Sequence, residues 1–310
     1  MDSSSKLQNK PTKKSMVGGT SRESLTCAVC GSRGEPAESR MVRCNLRQYR
    51  HQHFRVERCA HCDSLQTERV NNLTAYYTNY PIRNQKLDYF LRTWYGVLLK
   101  ELVRAGLQKE HSILDYGCNQ GLFLDFLRER GYEHSTGFDP YVPFYKDPAR
   151  LQRQYDWVIT MDTIEHDEDP VGFFRRLNGL RKSSGRLCIT TPRAEGIILK
   201  EADGHLHRLH VPYHVNILSE KALVHMGRTE GLDLVSRRDT VYMDSWQPGT
   251  SYALIEALMV YGGNDVDLGY EPVRIDLFFK YPSLLLKLFL GYFTQPKKKD
   301  HMTMVFGGRS

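Results

Sequence analysis

The chain has no run of about 18 or more consecutive apolar residues, so no segment reads as a membrane-crossing helix. It also lacks a charge excess in its body. The formal net charge is +7, from 43 basic and 36 acidic side chains, but residues 1–22 and the Lys297–Lys299 triplet carry all of it. The remainder is balanced, which removes the broad basic surface expected of a protein that tracks phosphates, and no nucleic-acid partner is expected. Residues 1–22 have no apolar stretch of the kind that drives secretion. Their Ser, Lys and Gly content predicts a disordered leader and a cytoplasmic protein. Disulfide stapling is not indicated either: the seven cysteines are odd in number, and 310 residues suffice to bury a core without cross-links.

Four of those cysteines form two CxxC pairs, Cys27/Cys30 and Cys59/Cys62, separated by 28 residues. Each pair can turn two thiolates toward one ion, and four soft ligands suit tetrahedral zinc. Alternating stretches between the pairs, Arg40–Arg43 and His53–Val56, read as strands, so residues 23–75 are predicted to form a zinc ribbon. Six arginines lie between Arg40 and Arg58, opposed only by Glu57. They are expected to be a solvated surface offsetting the tetrathiolate charge, with phosphate binding as the alternative. Cys44 is expected to be a small core residue.

The body begins with helical spacing at Leu87, Phe90, Leu91, Trp94, Leu98 and Leu102. A short strand, His111–Asp115, then runs into Tyr116-Gly117-Cys118-Asn119-Gln120-Gly121 and a second helix. Strand, glycine turn and helix bring backbone close to a ligand and are expected to aim amides at it. Asp139 ends the next strand, where a carboxylate can accept two ribose hydroxyls.

The run Leu114-Asp115-Tyr116-Gly117-Cys118-Asn119-Gln120-Gly121 resembles motif I of the class I S-adenosylmethionine-dependent methyltransferases. Asn119 stands where that motif usually has glycine. Tyr155–Thr160 resembles the family's fourth strand. Met161 to Pro170, with Glu165-His166 and Asp169-Pro170, resembles its acidic-x-x-Glu-His segment, as found in ubiquinone-pathway O-methyltransferases. Gly185–Pro192 and Val211–Ser219 resemble the strand and loop that follow. The resemblance spans residues 76–243 and implies an α/β, Rossmann-like sheet. Only 15 residues separate Asp139 from Tyr155, so the third strand is expected to be shortened or missing.

The resemblance implies S-adenosylmethionine as cofactor. Asp115, Tyr116, Gly117, Cys118 and Gly121 would hold its methionine part, Asp139 its ribose, and Asp162 would border the transfer site. It also implies that Asp162, Glu165 and His166 can hold Mg²⁺ or a transition ion, the alternative being a capping role for Glu165 and His166. His214 is the expected general base, with His166 as a second catalytic candidate and His205, His207 and His210 nearby.

Residues 244–300 read as a helical insertion, after which residues 301–310 return to the body with a closing strand at His301–Phe306. Within it, Ser251 is placed to cap a helix at 252–261, and residues 283–293 are apolar nearly all round. At eleven residues the latter cannot span a bilayer. It is either a lid over the site or an interfacial anchor using Lys297–Lys299. The expected activity is methyl transfer to a hydroxyl of a small or carrier-linked acceptor. C-methylation of a sugar nucleotide, and a non-catalytic module binding RNA or protein, are the alternatives.

Overall fold

The computed structural model describes residues 26–77, 85–241, 245–294 and 299–309. The expected leader at 1–22, together with Lys297 and Lys298, lies outside the described residues.

The amino-terminal module is an antiparallel ladder of β1 (Glu38–Arg43), β2 (His53–Arg58) and β3 (Leu65–Thr67). Alternation sets its faces: Val42, Phe54, Val56 and Leu65 are buried, while Met41 and its cross-strand partner Arg55 point outward. Cys44 is fully buried beside them. A short helix, α1 (Leu73–Tyr77), follows.

Helix α2 (Tyr89–Arg104) is capped by Asp88, whose carboxylate accepts the Leu91 amide at 2.9 Å. Its buried residues, Leu91, Tyr95, Leu98 and Leu102, fall on one face. Then come β4 (Ile113–Tyr116), α3 (Leu122–Glu129), β5 (Ser135–Phe138), β6 (Tyr155–Met161), α4 (Pro170–Gly179) and β7 (Arg181–Pro192). Asp169 caps α4 through the Gly172 amide, with Pro170 in the first turn. The chain continues through α5 (Leu206–Leu209), β8 (Asn216–Ile217), α6 (Glu220–Thr229) and β9 (Leu232–Thr240). The insertion holds α7 (Tyr252–Tyr261), α8 (Ile275–Lys280) and α9 (Ser283–Leu290), and β10 (His301–Gly308) closes the fold. Ser251 caps α7 through the Leu254 amide.

Six strands form one sheet in the order β5-β4-β6-β7-β10-β9. The first four are parallel and β10 runs antiparallel between β7 and β9. Successive residues of β6 supply opposite faces: Val158 packs with Phe173, Leu177 and Leu223 from α4 and α6, whereas Trp157 and Ile159 pack with Leu91, Leu98 and Phe126 from α2 and α3. Two short 3-10 turns, Pro143–Tyr145 and Pro148–Gln152, occupy the stretch between β5 and β6. Among the described residues no third strand follows β5.

The amino-terminal module is not a separate bead. Strand β8, from the body, pairs with β3 and completes a second sheet of four strands. The Cys59–Cys62 turn is fixed to the start of α6, because the Ser219 hydroxyl donates to the Cys62 carbonyl and the Ser219 amide to Ser64. Arg58 donates to the carbonyls of Ala194 and Ile197. Arg47 pairs with Glu271, and Arg43 and Arg50 with the buried Asp265 of the insertion. Four of the six arginines are therefore structural ties, which corrects the expectation of a solvated surface.

Candidate active site and cysteine centre

The four thiols of Cys27, Cys30, Cys59 and Cys62 converge, with Sγ separations of 3.7 Å (Cys27–Cys62) and 3.8 Å (Cys30–Cys59). A tetrahedral zinc ion with bonds near 2.3 Å sets its sulfurs roughly 3.8 Å apart, whereas a disulfide needs about 2.05 Å. The cluster fits zinc. Ser32 places its hydroxyl 3.1 Å from Cys30 Sγ, a support next to the thiols that spacing alone does not reveal.

The residues expected to hold the cofactor line the carboxyl ends of β4, β5 and β6. Asp115 is 1% exposed and neither carboxylate oxygen has a partner. Burial, and then the Asp139 carboxylate, push its pKa up to about 8. A buried carboxyl without a donor is costly unless a cation meets it, so Asp115 fits the ammonium of the methionine part. The glycine turn behaves differently from expectation. The amides of Gly117 and Cys118 both donate to the Phe138 carbonyl, and that of Asn119 to Asp139 Oδ2. These amides tie β4 to β5 instead of pointing into the cleft. Asn119 takes a left-handed conformation (φ 47°), as its short polar side chain allows. Gly121 (φ 78°) is required twice over, since a Cβ there would lie 2.0 Å from the Tyr145 hydroxyl. Tyr116 packs between Phe138 and Phe173, and Cys118 turns its thiol inward beside Leu124 and Tyr145. Asp139 Oδ1 accepts the Tyr141 amide at 2.8 Å.

Asp162, the residue after β6, takes a left-handed conformation (φ 47°) and binds His301 Nε2 at 2.8 Å. His301 was not singled out in the sequence. Strand β10 sets it opposite Pro192, at the carboxyl rim of the parallel strands, so the first residue of the closing strand was the available signal.

Glu165 and His166 converge with His214, their donor atoms lying within 4.8 Å of one another. His166 Nδ1 sits 3.0 Å from the Tyr213 carbonyl and His214 Nδ1 2.6 Å from that of Arg208. Carbonyls only accept, so both Nδ1 atoms carry hydrogen, that of His166 also lying 3.1 Å from the Tyr77 hydroxyl, and the lone pair of each ring sits on Nε2. Glu165 is fully buried; Oε2 accepts the Thr191 hydroxyl at 3.0 Å, while Oε1 has no partner and faces His214 Nε2 at 4.0 Å. Burial holds both imidazoles below their usual range, in the neutral form that ligates metals. Two imidazoles and one carboxylate suit a transition ion better than Mg²⁺. Of the expected set Asp162, Glu165 and His166, the structure brings the last two together with His214, while Asp162 is engaged by His301.

The other histidines of the loop are used elsewhere. His210 Nδ1 lies 2.8 Å from Asn45 Oδ1 of the amino-terminal module, and His207 lies under Tyr252 of α7. Arg208 is buried, paired with Asp300 and stacked 4.6 Å from the Tyr252 ring. The insertion therefore sits over this loop.

A parallel sheet sandwiched by helices, with an antiparallel closing strand and an unpartnered carboxylate near the end of β4, is the arrangement that the resemblance to class I methyltransferases implies. Residues 87–237 match a family described as a methyltransferase domain, and this span is an S-adenosylmethionine-dependent methyltransferase domain. Among solved structures it is similar to coclaurine N-methyltransferase bound to N-methylheliamine and SAH, at 14% identity, 78% of this chain, 83% of that one and a TM-score of 0.45. It is also similar to phosphoethanolamine N-methyltransferase 2 from Haemonchus contortus in complex with S-adenosyl-L-methionine, at 14% identity, 70% and 53% coverage and a TM-score of 0.42. No curated protein sequence matches the chain. No described helix is long and apolar enough to cross a membrane.

Proposed function

We propose that the enzyme transfers the methyl group of S-adenosylmethionine to a hydroxyl of a small or carrier-linked acceptor, with a divalent transition ion held by Glu165, His166 and His214. The observation that carries this reading is the unpartnered, buried Oε1 of Glu165 facing the free Nε2 of His214. Hydroxyls are poor nucleophiles when protonated, and a bound divalent ion supplies the Lewis acidity that makes one acidic at neutral pH. Methyl transfer itself is an in-line displacement, so the remaining task is placement. Asp115 would orient the cofactor through its ammonium and Asp139 through its ribose. Asp162, fixed by His301, borders the same rim. His166 and His214 are more suited to ligation than to proton transfer, because burial keeps both imidazoles neutral and their ring nitrogens converge with the Glu165 carboxylate. Zinc at the four cysteines would be structural.

The test is transfer of a labelled methyl group into an extract of small metabolites and lipids, with mass analysis of the product. Labelling that a chelator abolishes and Mn²⁺ or Co²⁺ restores is the expected result. An N- or C-methylated product, or labelling indifferent to metal, would reject the reading.

A further inference from the structure

Helix α9 is two-faced. Leu284 is fully buried and packs with Leu254 of α7 and Leu277 of α8. Leu285, Leu286, Phe289 and Leu290 occupy the opposite arc and are all exposed. The neighbouring α8 repeats the pattern: Leu277 is buried, whereas Ile275 and Phe279, one turn apart, are exposed. Phe279 is 83% exposed, and Phe293, just past α9, is 81% exposed. Soluble surfaces scatter such residues singly; a cluster of large apolar side chains marks a contact site.

We propose that this face of α8 and α9 docks on an anionic lipid surface. Charge selects the occupant. Residues 277–299 contain five lysines and no acidic residue. Asp276, just before them, is already paired with Arg274. Lys280 of α8 and Lys287 of α9 lie on the helices that carry the apolar face, and lysines so placed add attraction to anionic headgroups. A second copy of the chain would set Lys280 and Lys287 against the same lysines. Residues 1–25 carry the same sign and only scattered apolar side chains, so they offer no complementary cover. The docking face is the outer side of an element whose inner side, through Tyr252 of α7, lies on Arg208 and His207. Lipid contact would thus lie one helix layer from the loop that carries His214. The proposal stands on the surface alone and does not need the hydroxyl-acceptor reading.

Flotation of the full chain with vesicles tests it, comparing phosphatidylcholine alone with a mixture containing phosphatidylglycerol, at low and high salt. Binding to the anionic vesicles, weakened at least tenfold by salt and by removal of phosphatidylglycerol, is expected. The exposed triple variant Phe279→Ser/Phe289→Ser/Phe293→Ser should lose binding at least tenfold while keeping S-adenosylhomocysteine affinity and thermal midpoint. Lys280→Gln/Lys287→Gln should reduce the salt dependence. No binding to anionic vesicles at low salt would overturn the proposal. So would a concentration-dependent dimer that the triple variant dissociates, because the face would then belong to a second copy.

Discussion

The Thr67 hydroxyl donates to the carbonyl oxygen of His214 at 2.7 Å, across 147 residues of sequence. Thr67 belongs to the strand that follows the second CxxC turn, and its amide also donates to the Val215 carbonyl. The cysteine module therefore fixes the backbone of a residue in the candidate metal site. Thr67→Val should cost about 1 kcal/mol of stability and weaken Co²⁺ binding at Glu165, His166 and His214, with Thr67→Ser restoring both. Urea denaturation and the visible spectrum of the Co²⁺ form check it.

Loss of one thiolate should be felt more widely. Cys59→Ser leaves three sulfurs for an ion whose binding is worth roughly 10 kcal/mol or more in structural sites. Zinc content should fall and the thermal midpoint drop. The His214 site should fail in the same sample, since β3 and β8 are shared.

Glu165→Gln keeps the Thr191 contact and the volume of the side chain but removes the ligand charge. Metal retention after gel filtration should be abolished, while the metal-free protein should be no less stable than wild type. Destabilisation of the metal-free fold by more than about 2 kcal/mol would mean that Glu165 serves folding.

Asp115 gives the pH dependence. Its pKa of about 8 in the free enzyme should fall when an ammonium binds beside it, so binding releases a proton. Affinity for S-adenosylhomocysteine should then rise with pH, up to tenfold per unit, and level off near pH 8. Calorimetry should show this slope in wild type and its absence in Asp115→Asn, which should bind roughly tenfold to a hundredfold more weakly.

Asp162 combines a left-handed backbone with the His301 contact. Asp162→Asn tolerates that conformation and should fold normally. Asp162→Ala should lose about 1–2 kcal/mol from the backbone alone, read as a lower denaturation midpoint.

Features carried by local pattern were legible in the sequence. CxxC pairs imply close thiols, Asp169-Pro170 a helix start, and Asn119 a left-handed turn, because each depends on neighbours a few residues away. The short gap after Asp139 likewise announced the absent strand. What escaped depends on distant returns of the chain. His214 reaches Glu165 only after β7 and α5, and His301 reaches Asp162 only because β10 runs back alongside β7. Nor does a glycine pattern say where amides point; at Gly117 and Cys118 the β5 carbonyl takes them. Arginine spacing was equally silent about Asp265 and Glu271, which lie in the insertion.

Without a third strand, β5 ends the sheet, and an outermost strand invites a foreign one to pair with it. The carbonyls of His134 and Phe138 accept amides from the β4 side, so those of Ser135 and Gly137 face outward. Arg128 donates to the first and Arg150 to the second. Two guanidinium groups thus fill acceptors that a neighbouring strand would otherwise use, and the charged edge they create protects the sheet from growing into another molecule.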